Sequence, residues 1–231
     1  MKKLLVLFMF VFLSFPIFAQ DDNNKQNGKE NSQKIETLFG NDEFHSGGYG
    51  GPEIKFSPFK NAGKQKLGIL VGGRGGWIVN SVFSIGGGGY GLVTSPEVYR
   101  KTSPLLGGRD SVYYLRMGYG GMFFEYINSS SSLFHFTVNC LIGAGGASTT
   151  LSMKDMMNQN GNYDNDHNWV EDASAFFIVE PGAMVEMNVT SFFRLGMGAS
   201  YRFVSGLDMK NVTDSDLSNY SLNLIFKFGK F

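Results

Sequence analysis

The chain has 231 residues, zero formal net charge and only 17% charged residues. This balance excludes the strongly basic surface that nucleic-acid-binding proteins use, so no nucleic-acid partner is expected. The single cysteine, Cys140, excludes an internal disulfide framework. The 31 glycines and 22 phenylalanines are well above average usage, and such a composition suits a closed β-sheet.

The N-terminus has the pattern of a secretory signal peptide. Lys2 and Lys3 precede an apolar core over 4–18, and Ala19 supplies the small residue of a cleavage site. The alternative is a retained anchor, but this core is shorter than the roughly 20 residues that a membrane-spanning helix needs. We therefore predict a signal peptide over 1–19, export by a Sec-type route, and a mature chain that begins at Gln20.

The mature chain divides into two parts. Residues 20–47 are polar and offer few apolar side chains to bury, so we predict a flexible periplasmic N-terminal segment. Over 48–231, apolar and polar residues alternate, which is the pattern of β-strands with two different faces. Eight strand segments are predicted: 50–58, 67–79, 83–92, 112–126, 133–148, 174–187, 192–203 and 218–231.

Three segments have clearly different faces. In 112–126 the predicted lipid face comprises Tyr113, Leu115, Met117, Tyr119 and Phe123, and the predicted lumen face comprises Arg116, Gly118, Gly120 and Met122. In 133–148 the lipid face is predicted at every second residue from 134 to 144, and in 192–203 from 193 to 203. Glycines remove the contrast in 67–79 and 83–92, so the register of those two segments stays open.

Short and long connections alternate along the chain. Short ones lie near 80–81, 127–132 and 188–190, and longer ones at 59–66, 93–111, 149–173 and 204–217. Bacterial outer-membrane barrels have short periplasmic turns and longer external loops. We therefore predict an all-β, eight-stranded antiparallel transmembrane β-barrel with both termini periplasmic. A soluble lipocalin-like barrel is the alternative, because alternation alone does not say which face is inside.

Three glycine-rich stretches carry a resemblance to known proteins. They are GGYGGPEIKF at 47–56, VGGRGGWIVN at 71–80 and SIGGGGYGL at 84–92. These stretches resemble uncharacterised exported barrel proteins. The predicted architecture and the aromatic terminal strand resemble those of small eight-stranded outer-membrane barrels of Gram-negative bacteria, the OmpA/OmpX-like group. The resemblance implies an outer-membrane monomer that contacts outer-membrane lipid and the barrel assembly machinery. Phe231 departs from the family pattern, because it is out of step with Phe226 and Phe228.

Charged residues are expected to collect inside the barrel. The predicted lumen cluster comprises Glu53, Arg74, Arg116, Glu180, Glu186, Arg194 and Arg202, with Lys55, His135 and Lys227 on the same faces. An eight-stranded barrel is only wide enough to be filled by side chains or to hold one small ligand. Because buried charges need partners, we expect a salt-bridged core, and a gated ion path or ligand site stays open as the alternative. A turn centred on Thr190 would place Glu186 opposite Arg194.

The acidic segment 149–173 is the candidate for external contacts. Asp164 and Asp166 are weak metal-ligand candidates, because the calcium-loop pattern fails where Trp169 stands in place of the turn glycine. Tyr163 and Trp169 are instead predicted to form an external recognition surface. No cofactor is expected.

Catalysis has little support in the sequence. His135 is the histidine that falls within a predicted strand, and it lies near a periplasmic turn, on the wrong side for surface-lipid chemistry. We therefore expect a non-enzymatic barrel with a structural, adhesive or surface-interaction role. The alternative is a lipid- or small-molecule-binding barrel, either membrane-embedded or soluble in the periplasm. The sequence identifies no external ligand.

Overall fold

The computed structural model describes residues 45–61, 64–103, 109–151 and 170–231. These residues form antiparallel strands and one helical turn. The strands are β1 (Ser46–Asn61), β2 (Lys64–Val79), β3 (Phe83–Leu92), β4 (Glu97–Ser103), β5 (Arg109–Asn128), β6 (Phe134–Leu151), β7 (Val170–Asn188), β8 (Phe193–Ser205) and β9 (Asn219–Lys230), and the helical turn is α1 (Asp214–Leu217).

The sheet closes on itself. Each strand pairs with its neighbours in chain order, and β9 returns to pair with β1. Both β3 and β4 pair with β5, so together they form one interrupted strand of the wall. In the described part of the chain the wall therefore has eight positions, and the predicted all-β, eight-stranded antiparallel barrel is confirmed.

The prediction of a connection over 93–111 was wrong in part. This stretch contains β4 and the beginning of β5. The strand stops at Leu92 and resumes at Glu97, and Pro96 lies in the gap, where it has no backbone N–H to offer a ladder. Its carbonyl still accepts a hydrogen bond from the Leu115 N–H, at 3.0 Å. Pairing of the third wall position with β5 thus resumes beyond the interruption.

The two ends of the barrel differ, and we call them the turn end and the loop end. The turn end carries the short links 80–82, 129–133 and 189–192 together with the last residue, Phe231. Within the three-residue link 80–82, Asn80 and Ser81 both have positive φ, at 49° and 56°, as the central residues of a type I′ turn do, and the Val82 N–H donates to the Val79 carbonyl at 3.1 Å. The loop end carries the links between β1 and β2, β4 and β5, β6 and β7, and β8 and β9.

Burial distinguishes the inner face of the wall from the outer face. On β6 and β8 the predicted faces are confirmed: His135 and Arg202 are buried, whereas Phe134 and Phe203 are exposed. The prediction for 112–126 was wrong. Leu115 is 0% exposed and Met122 is 55% exposed, so the aromatic face of β5 points inward. The physical reason is that the loop-end interior is apolar, so β5 places its larger apolar side chains there.

Candidate functional site

Glu125 of β5 is the centre of an ion-pair network inside the barrel. Lys227 of β9 places its Nζ 2.8 Å from both carboxylate oxygens. The Tyr49 hydroxyl donates to Oε2 at 2.9 Å, and Arg74 Nη2 lies 3.7 Å from Oε1. These side chains come from β1, β2, β5 and β9. Because β5 is adjacent to none of the other three, the contacts cross the interior of the barrel.

The network extends from Lys227 and Arg74 in two directions. Lys227 also pairs with Glu186, whose second carboxylate oxygen lies 3.4 Å from His135 Nε2. Arg74 Nε lies 3.5 Å from Glu53 Oε2, which accepts a 2.6 Å hydrogen bond from a tyrosine hydroxyl, that of Tyr90. Each carboxylate therefore has a cationic or hydroxyl partner, as burial requires.

A second carboxylate, Glu180 of β7, organises the neighbouring layer. It accepts hydrogen bonds from Lys55 Nζ at 2.8 Å, the Tyr119 hydroxyl at 2.7 Å and the Ser200 hydroxyl at 2.6 Å. Lys55 Nζ also lies 3.5 Å from the centre of the Tyr90 ring. Through Tyr90, this layer is continuous with the Glu125 network.

Two arginines lie at the edges of the ionic region. Arg202 donates from Nε to the Leu217 carbonyl at 2.9 Å and from Nη2 to the Ser57 hydroxyl at 3.2 Å. Arg194 donates to the Ser130 carbonyl at 3.1 Å, and its guanidinium lies 3.9 Å from the centre of the Phe231 ring. Both arginines therefore hold backbone and aromatic groups that close the barrel.

The predicted pairing of Glu186 with Arg194 across the wall was wrong. The link between β7 and β8 aligns Asn188 with Arg194 and places Glu186 opposite Gly196. The hairpin is centred on Ser191 rather than on Thr190, and this moves the register by two residues. Glu186 is consequently paired with side chains from β9 and β6.

Arg116 is the member of the predicted lumen cluster that the structure places elsewhere. It is exposed on the outer face, because it lies on the face of β5 opposite to Leu115. The other predicted members are buried: Glu53, Arg74, Glu180, Glu186, Arg194 and Arg202. Among the described residues, the interior holds four buried carboxylates and five buried cationic side chains, with His135 beside them.

Apolar layers close the ionic region at both ends. At the turn end, Tyr49, Ile78 and Ile127 pack with Phe231. At the loop end a larger cluster fills the barrel, and it includes Phe59, Leu70, Leu115, Met117, Phe123, Leu141, Phe176, Ile178 and Val204. Among the described residues, the ionic region is therefore not continuous with either opening.

The connection between β8 and β9 covers the loop-end cluster. Leu217 of α1 and Val212 are buried against it. The connection is held by hydrogen bonds from the Leu207 N–H to Asp214 at 2.9 Å and from the Asp208 N–H to the Ser174 hydroxyl at 2.9 Å. We call residues 206–218 the cap. Its polar face lies outside, while its apolar residues complete the filling of the barrel.

The outer wall is apolar between two sets of exposed aromatic residues. Those at the turn end are Trp77, Tyr126, Phe134, Phe136, Phe192 and Phe228, and those toward the loop end are Phe56, Phe177, Tyr201, Phe203 and Tyr220. From 193 to 203 on β8 the strand rises about 34 Å, which at a tilt of about 40° is roughly 26 Å along the barrel axis. This matches the apolar band of about 25 Å of outer-membrane barrels.

Several sequence predictions lie outside the described residues. These are the recognition residues Tyr163 and Trp169 and the weak metal candidates Asp164 and Asp166. Within the described ranges, no group of three or more His, Cys, Asp or Glu side chains is placed to hold a metal ion. No helix among the described residues is long and apolar enough to cross a membrane.

Sequence reasoning missed Glu125, which has three side-chain partners in the ionic region. Its signal was present, because Glu125 shares a strand face with Phe123 and Tyr119 at two-residue spacing. A carboxylate on that face would have been exposed to lipid under the predicted assignment. The hydroxyls of Tyr49 and Tyr90 had no comparable signal, since tyrosine occurs on both faces of this barrel.

No protein-family model matches the chain, and no curated protein matches it. The chain is similar in structure to Neisserial surface protein A, with 16% identity, a TM-score of 0.48, and coverage of 80% of this chain and 97% of that one. It is also similar to the attachment invasion locus protein Ail of Yersinia pestis, in complex with the heparin analogue sucrose octasulfate, with 15% identity, a TM-score of 0.44, and coverage of 80% and 99%.

A third similar structure is the outer membrane protein OprG from Pseudomonas aeruginosa. Its identity is 9% and its TM-score 0.44, with coverage of 80% of this chain and 95% of that one. At these low identities the similarity concerns the barrel fold alone.

Proposed function

We propose that this protein is a non-enzymatic outer-membrane barrel that holds its loop end at the cell surface in a structural, adhesive or surface-interaction role. The observation that carries the proposal is the filled interior. Ion pairs around Glu125 and Glu180 occupy the middle of the barrel, and apolar layers with the cap occupy its ends. A barrel filled in this way has no path for ions or solutes, so its accessible surface is its outside and its loop end.

The orientation of the two faces supports membrane residence. The four carboxylates and five cationic side chains of the ionic region point inward, while the outward positions of the described strands β6, from 134 to 148, and β8, from 193 to 203, carry no charge. A soluble lipocalin-like barrel has the opposite arrangement, with its apolar face inside. The short turns at one end support a periplasmic position for that end, because bacterial outer-membrane barrels have short periplasmic turns.

The absence of a catalytic role is supported by the position of His135. It is buried at the turn end, 3.4 Å from Glu186, and its Nδ1 contacts the Ser132 carbonyl oxygen at 3.3 Å. Both ring nitrogens are thus directed to groups inside the protein. His135 therefore has no access to lipid headgroups at the loop end.

Reconstitution tests the proposal. The full chain is inserted into planar bilayers and into vesicles, with a general porin at the same protein-to-lipid ratio as a positive control. We expect a folded band that shifts on boiling, flotation with the vesicles, and no channel current above the empty bilayer. A stable single-channel current would contradict the filled interior. Quantitative recovery as a soluble periplasmic protein would contradict membrane residence.

A further inference from the structure

The interruption between β3 and β4 produces a groove on the outer wall. Leu92, Val93 and Ser95 border one side of it, and small residues of β5, β6 and β7 form its floor. The groove has a volume of about 780 Å³. Arg116 lies on its rim and is exposed on the outer face of β5.

A track of small residues leads away from this groove. Neighbouring strands align Gly91, Gly118, Gly146 and Ala175 in one row and Gly73, Gly89, Gly120 and Ala144 in the next. Beyond them lies a second depression of about 650 Å³, which is bordered by Gly50, Gly75 and Gly87. The track therefore continues across β1, β2, β3, β5, β6 and β7 on the outer face.

The barrel's own packing does not require several of these outward glycines. A Cβ placed on Gly50 or Gly91 would meet no atom within 4 Å, and one on Gly146 would meet its nearest atom at 3.9 Å. Other glycines have no such space, because a Cβ on the inward Gly121 or Gly143, or on Gly73 or Gly75 of the track, would collide with the backbone of the neighbouring strand. The outward glycines that have room for a Cβ therefore leave a depression in the wall that packing does not require.

Arg116 lies at the level of a membrane interface. It is ten residues from Tyr126 along β5, which corresponds to about 34 Å along the strand and roughly 26 Å along the axis. Tyr126 belongs to the turn-end aromatic residues, so Arg116 is level with the loop-end ones. On β7, β8 and β9 this level carries Phe177, Phe203 and Tyr220. On β5 and β6 it carries Arg116 and small residues instead.

We propose that the groove and track bind one molecule of an anionic lipid of the outer leaflet, a phosphorylated glycolipid. The lipid phosphate contacts the Arg116 guanidinium, and an acyl chain lies along the track of outward glycines. Arginine suits this role because its planar fork donates two parallel hydrogen bonds to phosphate. Bare glycine backbone lets the chain approach the wall closely. This inference rests on the proposed membrane residence and orientation.

The charge at the rim favours a lipid over a second copy of this chain. A two-fold axis through the groove would bring two copies of Arg116 toward each other, since such an interface uses the same patch twice. Like charges in a poorly hydrated interface repel each other. A lipid phosphate has the complementary charge and occurs at this level of the membrane.

Native mass spectrometry of the full chain, titrated with diphosphoryl lipid A in detergent micelles, tests the proposal. The test variants are Arg116→Gln and Gly118→Leu, because a Cβ on Gly118 would meet its nearest atom at an ordinary 3.5 Å. The matched controls are Lys230→Gln at the turn end and Ala199→Leu on the outer face of β8. We expect one bound lipid per wild-type barrel and about tenfold weaker binding by Arg116→Gln, as loss of a charge-assisted hydrogen bond predicts. Gly118→Leu should also bind more weakly, because its side chain would occupy the track.

Dephosphorylated lipid A provides a second comparison. We expect it to bind the wild type as weakly as the phosphorylated lipid binds Arg116→Gln. Equal binding by wild type, test variants and controls would overturn the proposal. If Gly118→Leu does not give the folded, heat-modifiable band, the binding by Arg116→Gln alone tests the proposal. Failure of the wild type to insert into vesicles would instead overturn the proposed function, so the two failures are distinguishable.

Discussion

The two halves of the barrel interior are filled by different chemistry. The half toward the turn end contains the ion pairs of Glu125, Glu180 and Glu186, whereas the half toward the loop end contains a cluster like the core of a soluble protein. One strand, β5, contributes to both, with Leu115 in the apolar half and Glu125 in the ionic half. In the ionic half, the polar side chains therefore identify the inner face of a strand. In the apolar half, the inner face is apolar as well, so polarity gives the wrong assignment.

This difference has a physical basis in the width of the barrel. An eight-stranded barrel is filled by side chains, and those side chains can be apolar wherever no water needs to pass. Ion pairs fill the space equally well when each charge has a partner. The two halves should therefore respond differently to substitution.

The largest expected effect is in the ionic half. Glu125→Gln leaves Lys227 and Arg74 without their shared carboxylate, and breaking a buried ion pair costs about 3–5 kcal/mol. The measurement is the urea concentration at which the folded, heat-modifiable band disappears in lipid vesicles. Adding Lys227→Met should restore only part of the loss, because Lys227 also pairs with Glu186. No change in the Glu125→Gln single variant would mean that the network is hydrated.

The apolar half should respond through cavity formation. Leu115→Ala should lower stability by about 3 kcal/mol, because Leu115 is fully buried and its removal leaves a cavity. The same urea titration measures it. Leu222→Ala on the outer face of β9 is the matched control and should cost much less. If the control were the more damaging, the inner and outer faces would be exchanged.

A charge on the outer wall should have an effect that depends on depth. Met197→Arg lies between the two sets of aromatic residues and should cost about 2–3 kcal/mol, whereas Tyr201→Arg near the loop end should cost about 0–1 kcal/mol. The yield of folded protein in vesicles and its urea midpoint report the difference. Equal tolerance at both positions would place this wall in water.

The smallest expected effect concerns Glu186 and Arg194. The observed register separates them, so the coupling between Glu186→Gln and Arg194→Met in a double-mutant cycle should be about 0.5 kcal/mol or less. Strong coupling would restore the register centred on Thr190. Weak coupling would show that Arg194 is not a partner of Glu186 in the ionic half of the barrel.

The sequence predicted the fold well. It also predicted the inner face correctly on strands whose polar and glycine residues all lie on one face. On β8, Arg194, Gly196 and Arg202 alternate with large apolar residues, and the strand has one interpretation. On β5 both faces carry apolar residues, and only Glu125 indicates the inner one. Contacts such as Lys55 with Glu180 join strands that are not neighbours. They depend on the stagger of the barrel, which alternation along one strand does not specify.

Fluorescence quenching by brominated lipids measures which face of β5 meets the lipid. Met122→Trp and Phe123→Trp are each made in a background that carries Trp77→Phe and Trp169→Phe, and each protein is inserted into vesicles. We expect strong quenching of tryptophan at 122, which faces lipid, and weak quenching at 123, which faces the filled interior. Strong quenching at 123 with weak quenching at 122 would contradict it.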